Sequence, residues 1–249
     1  MFLIFCVSLF AAPIALLAAP AAAADTYPRR PIRLIAPFPP GGGVDISARI
    51  LADPLGQALG ETVVVDNRAG AGGRLGLELV AKANPDGYTL GLSGIGMAIQ
   101  RALYKKLPYK GTAPALTALL GNEIAVYHST YASALPHVKS ERLRAFGVTG
   151  ATRTKTLPAV PTLAESGAPG NEYTTWYGLV APAGVPRAII DLLNKATVAA
   201  LNKPAIRKLC ETQGMDPIPS TSAHYVTHLK AETEKWTKAA LAAKIDLEQ

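Results

Sequence analysis

The segment Pro39-Pro40-Gly41-Gly42-Gly43-Val44-Asp45 is the part of this chain best suited to holding a ligand. It follows an apolar run, Ile32-Arg33-Leu34-Ile35-Ala36. A glycine run between a strand and a helix lets the backbone approach a ligand closely. It also aims free N–H groups and the positive end of the helix at that ligand. An anion such as a carboxylate or phosphate fits, and a tight turn with no ligand is the competing reading. Ser93 and Gly94 fall at the end of a later strand, where open α/β sheets place ligand contacts.

Other patterns exclude more than they offer. Gly70–Gly76 misses the dinucleotide fingerprint because Leu75 stands at its third glycine, and no phosphate-cradling G-x-x-x-x-G-K-[ST] occurs. Gly91-Leu92-Ser93-Gly94-Ile95 approaches a nucleophile elbow but has Ile95 in place of the closing glycine. A small secreted hydrolase using Ser93 and a histidine is the alternative that this leaves. His224 and His228 are spaced i, i+4 with no third ligand in view, which favours two solvated histidines over a metal site. His128 and His137 lack an acid or nucleophile at a recognisable spacing. These absences point to a binding protein with no cofactor and no metal, and not to an enzyme.

The elements that must position the loop alternate between strand and helix. Ile32–Ala36 reads as a buried strand. Asp45 is expected to cap a helix that carries Ile46, Ile50, Leu51, Leu55 and Leu59, is kinked at Pro54 and stops at Gly60. Thr62–Val65 is a β-branched strand, a helix runs from about Leu75 to Ala83, and Tyr88–Leu92 is the next strand. That order implies a parallel, doubly wound sheet. Farther on, Pro114–Leu120 reads as a helix, and Glu123–His128, Arg142–Val148 and Thr174–Val180 read as strands. Pro186 opens a helix with Ile189, Ile190, Leu193, Thr197 and Leu201 on one face. A short helix from Pro204 to about Gln213 follows. The last helix is capped by Ser220 or Ser222 and packs a stripe of Val226, Leu229, Thr233, Trp236, Ala240 and Ala243.

Composition adds compartment and partner class. Met1–Ala24 carries no charged side chain and ends Ala22-Ala23-Ala24, as a cleaved secretory signal does; a retained anchor is the other reading. With Cys6 in that segment, Cys210 is left alone, beside Ile206 and Leu209 in a helical pattern, so a buried structural thiol is expected. The net charge is +7. Its lysines and arginines are scattered with few aromatics beside them, which excludes a nucleic-acid surface.

Several longer motifs, in order along the chain, resemble one family. They include Pro37-Phe38-Pro39-Pro40-Gly41-Gly42-Gly43-Val44-Asp45, Val63-Val64-Val65-Asp66-Asn67-Arg68-Ala69-Gly70-Ala71-Gly72-Gly73 and Pro85-Asp86-Gly87-Tyr88-Thr89-Leu90. Later come Ser133-Ala134-Leu135-Pro136-His137 and Trp176-Tyr177-Gly178-Leu179, with Ala181-Pro182 close behind. The chain resembles the periplasmic solute receptors of tripartite tricarboxylate transporters, often called Bug-type receptors. The resemblance implies an α/β, two-lobed periplasmic-binding-protein-like (type II) architecture with parallel-rich sheets. It implies a small organic acid as ligand and the membrane components of such a transporter as partners. The implied contacts are Pro39, Pro40, Gly41, Gly42, Gly43 and Asp45 in the loop, with Ser93 and Gly94 across the cleft mouth.

The departures from the family pattern concern the second lobe. Leu107-Pro108-Tyr109 runs directly into Lys110-Gly111, where the family has a long intervening stretch. Ala125-Val126-Tyr127-His128-Ser129-Thr130 replaces an Asp-x-x-Phe-Asp-Asn segment and loses both acids. The expected division is a signal over 1–24, a first lobe over 25–108 plus 180–249, and a truncated second lobe over 109–179. At about 70 residues, the second lobe is near the low end for an independent core, so ligand binding is expected to be weakened or lost, and a non-binding remnant that acts as an interaction protein is a further alternative.

Overall fold

The structure is a computed structural model that describes residues 27–94, 111–170 and 172–242. The expected signal, the Leu107–Lys110 junction and Ala243 lie outside these residues.

The described elements follow in chain order: β1 (Ile32–Ala36), α1 (Gly43–Leu59), β2 (Val63–Asn67), α2 (Arg74–Ala81), β3 (Thr89–Gly94), α3 (Thr112–Leu120), α4 (Tyr131–Lys139), β4 (Tyr177–Val180), α5 (Arg187–Asn202), α6 (Pro204–Thr212) and α7 (Ser222–Ala242). The sheet order is β2-β1-β3-β4. β1 is central because its apolar run has both faces covered. It pairs in parallel with both neighbours, Leu34 standing opposite Val65 and Leu90. β4 lies antiparallel on β3, with Ser93 opposite Gly178 and Gly94 opposite Tyr177.

Helices cover both faces, as a doubly wound sheet requires. On one face α1 and α5 bury Leu51, Leu55, Ile189 and Leu193 against Leu34, Leu90 and Leu92. On the other, α2 comes so close that a Cβ on Gly91 would stand 2.9 Å from Val80 Cγ2. The sheet is mixed and dominated by parallel pairs.

Several local expectations are corrected. α1 runs through Pro54 without a break and stops at Gly60, which is left-handed at φ 77°. The packing of α1 against the sheet and α5 holds the helix across the hydrogen bond that proline removes. Glu123–His128 forms no strand, and Arg142–Val148 reduces to a single bridge between Val148 and Thr162. Both segments have β-branched and aromatic composition, but no neighbouring strand offers them a ladder, and β-propensity alone forms no sheet.

The last helix also departs from its predicted face. Beyond Ser222, its partly buried positions are Tyr225, His228, Leu229, Glu232 and Trp236 among the described side chains, while Val226 and Thr233 are exposed. The packed face has turned because Tyr225 and Glu232 make the anchoring contacts. Its cap is Thr221, whose Oγ1 accepts from His224 N–H at 3.2 Å, and neither Ser220 nor Ser222. Thr221→Ala is expected to lower stability by about 1 kcal/mol, read as a small drop in the thermal midpoint.

Candidate ligand-binding site

The glycine loop is held from below. Gly42 is the extended residue that starts α1, and no side chain caps the helix. Asp45 therefore does not cap by position; it is the third helical residue and reaches back. Its carboxylate accepts from Gly41 N–H at 2.9 Å, from Arg49 Nε at 3.0 Å and from Asn67 Nδ2 at 3.0 Å. Asn67 Nδ2 also donates to the Phe38 carbonyl at 3.0 Å, tying the loop to the end of β2. Burial pushes the Asp45 carboxyl up, and these donors more than reverse the effect, leaving it below the ordinary carboxylate range. Gly41 is left-handed, at φ 81°, which lets the chain fold back over Asp45.

With Gly41 N–H committed to Asp45, the N–H groups of Gly42, Gly43 and Val44 meet no acceptor among the described residues. These are the unpaired donors that every helix start leaves, and they carry the positive end of the helix dipole.

A second helix start faces the first. α4 begins after Thr130, which is extended at φ −66° and ψ 143° and makes no side-chain cap. Thr130 Oγ1 donates to Ser133 Oγ at 2.9 Å, and Ser133 Oγ donates to the Gly41 carbonyl at 3.3 Å. Between the two helix starts stands Tyr177. A Cβ on Gly43 would lie 2.2 Å from Tyr177 Oη and 3.0 Å from Thr130 Oγ1. The Tyr177 hydroxyl has no hydrogen-bond partner among the described residues, and burial pushes its pKa up to about 12.

Of the other predicted residues, Pro39 packs against Gly111 at the start of α3, and Pro40 is exposed. Ser93 and Gly94 part company, because adjacent strand residues point to opposite faces. Gly94 faces the Tyr177 ring, where an added Cβ would meet Cδ1 at 3.1 Å. Tyr177 thus bridges Gly94 and Gly43. Ser93, 1% exposed, faces away. Its hydroxyl donates to the Gly178 carbonyl at 3.0 Å and lies 2.5 Å from Tyr225 Oη. No histidine hydrogen-bonds Ser93 among the described residues, so nothing there activates it as a hydrolase would require. His228 instead packs edge-on against Trp176, at 4.9 Å between ring centroids. Cys210 is buried and its thiol is pushed up by burial.

Thr130, Ser133 and Tyr177 were not singled out as site residues from the sequence. The Ser133–His137 and Trp176–Leu179 motifs contain two of them, and Thr130 is the preferred residue type for a helix start. Beside the loop lies a cavity of about 1580 Å³, whose walls include Leu51, Leu92, Leu116, Leu135 and Leu193.

Two stretches, 47–110 and 103–246, match the family described as TctC, tripartite tricarboxylate transporter family receptor. The chain belongs to this receptor family. Protein BugT of Bordetella pertussis is 32% identical to this receptor over an alignment of 297 residues that covers 88% of this chain and 91% of BugT. The structure of the periplasmic binding protein BugD has 26% identity and a TM-score of 0.82, over 88% of this chain and 99% of BugD. An R. palustris protein solved with adipate shares the fold at a TM-score of 0.84 and 24% identity, over 88% of this receptor and 99% of that protein.

Proposed function

We propose that this chain is an exported periplasmic receptor that holds a small organic acid and passes it, unchanged, to the membrane components of a tripartite tricarboxylate transporter. The ligand carboxylate meets the N–H groups of Gly42, Gly43 and Val44. Asp45 fixes the loop from beneath, and Gly94 makes room for the Tyr177 ring. The observation that carries this reading is the Tyr177 hydroxyl against Gly43, without a hydrogen-bond partner among the described residues, between two helix starts that no side chain caps. A half-buried hydroxyl without a partner is costly, and an anion accepts from it and from the amides at once. Adipate in a fold neighbour supports the carboxylate class.

The same reading holds that the second lobe is shortened and the grip on small diacids weakened. The alignment to BugT spans 297 positions against the 249 residues of this chain. The two family-matched stretches overlap at 103–110, where the Pro108-Tyr109-Lys110 junction lies. Affinity gained from closing two lobes is reduced accordingly. Calorimetric titration with adipate and malate is expected to give dissociation constants above the micromolar range. A sub-micromolar value for either would overturn the weakened-grip reading, and no binding at all would overturn the receptor reading. Tyr177→Phe removes one hydrogen bond to a charged group, so affinity for adipate is expected to fall roughly 10-fold. An unchanged affinity would take Tyr177 out of the site.

A further inference from the structure

The chain around β4 meets the glycine loop with one side and the last helix with the other. Tyr177 points to Gly43 and Gly94, while its neighbours Trp176 and Gly178 point the opposite way, against α7. A Cβ on Gly178 would collide with the Tyr225 phenol, so that ring rests directly on the strand. The Tyr225 hydroxyl meets Ser93, which stands opposite Gly178 in the ladder. Trp176 packs edge-on to Tyr225 and His228, at 6.1 and 4.9 Å between ring centroids.

Glu232 fixes this arrangement. Its Oε2 accepts from Trp176 Nε1 at 2.9 Å and from Trp236 Nε1 at 3.1 Å, and these are the two tryptophans of the chain. Burial pushes the Glu232 carboxyl up, and the Trp176 and Trp236 donors, with Lys235 and His228 nearby, more than reverse the effect. The acceptor is therefore ionised at neutral pH, and hydrogen bonds to an ionised group are stronger than neutral ones. They hold the Trp176 indole in one orientation. Tyr177, by contrast, has no hydrogen bond from its hydroxyl among the described residues. A lone hydroxyl serves a ligand only where the groups behind it keep it in place.

We infer that Glu232 is a positioning residue for the ligand site: by holding Trp176 it sets the Tyr177 hydroxyl against Gly43, and it links occupancy of the site to α7. The inference rests on the reading of Tyr177 as a ligand contact given above. Such coupling runs both ways. A ligand that engages Tyr177 also shifts the adjoining Trp176 indole, and the two tryptophans on Glu232 report it in their emission.

The test is calorimetric titration with adipate, with tryptophan emission recorded alongside. Glu232→Ala is expected to cut adipate affinity roughly threefold to tenfold, and by no more than Tyr177→Phe, because it acts through that hydroxyl. Glu232→Gln keeps an acceptor oxygen and is expected to recover most of the loss. In the Tyr177→Phe background, Glu232→Ala is expected to change affinity by less than about twofold. A merely structural role would make the two losses add, and that result overturns the inference. If Glu232→Ala does not fold, Trp176→Phe keeps an aromatic ring and removes the donor; the same loss is expected, and unchanged affinity overturns the inference. In the wild type, adipate is expected to shift the emission with the midpoint of the calorimetric curve, and constant emission at saturation also overturns it. A loss in Tyr177→Phe without one in Glu232→Ala removes this inference and leaves the receptor reading standing. Failure of adipate to bind the wild type removes both.

Discussion

Gly43→Ala is expected to cut adipate affinity about 10- to 100-fold, which corresponds to an overpacking cost of roughly 1.4–2.7 kcal/mol. A Cβ at this position would stand 2.2 Å from Tyr177 Oη and 3.2 Å from its Cζ. Tyr177 has little freedom to withdraw, because its ring also lies against Gly94 and its backbone is paired to β3. Either the phenol or the start of α1 must then shift, and both hold groups assigned to the ligand. Calorimetric titration reads the loss directly. The double variant with Tyr177→Phe removes the closest atom of the clash and is expected to lose less than the two single losses added. Strict additivity would mean that the two residues do not meet in solution.

Asp45→Ala is expected to destabilise the fold by about 2–3 kcal/mol, because Asn67 Nδ2 and Gly41 N–H lose an acceptor in a largely buried place. For a chain of this size that corresponds to a fall of roughly 5–10 °C in the melting midpoint. The Asp45 carboxyl is 4% exposed as a residue and titrates below the ordinary range in the fold. Its contribution is therefore fully present above the unfolded-state pKa of about 3.9 and is lost as pH falls through the lower, folded value. Wild-type midpoints should drop on acidification below about pH 4. Asp45→Ala should show a shallower drop, with a remainder due to Asp66, which Arg33 and Arg68 also hold below the ordinary range. Equal slopes for the two proteins would show that Asp45 titrates normally.

The sheet was legible because its signals are local. Ile32–Ala36 and Val63–Asn67 are apolar or β-branched runs bounded by turn residues, and each became a strand within two residues of its expected ends. The glycine loop was legible for the same reason. What escaped depended on distant partners. Glu123–His128 has strand composition, but a strand exists only beside another, and the sequence does not say that none stands there. Asp45 is of a capping type, yet Gly42 takes that position, and the carboxylate is drawn back by Asn67 from 22 residues away. Tyr177 is 134 residues beyond Gly43, and only the antiparallel register of β4 brings its hydroxyl to the loop. Ser93 and Gly94 were grouped because they are neighbours in sequence, and strand alternation separates them.

The pairing of Gly94 with Tyr177 bears on how such a chain tolerates change. The described residues between these two stand outside the four-stranded sheet, which Tyr177 rejoins beside Gly94. The entropy of closing such an excursion grows only with the logarithm of its length, so doubling it costs about 0.6 kcal/mol. The four strands, with α1 and α5 packed on them, are thus nearly indifferent to tens of residues gained or lost there. Selection can rewrite the excursion, or a protein engineer can replace it, while the glycine loop stays on a scaffold that scarcely registers the change.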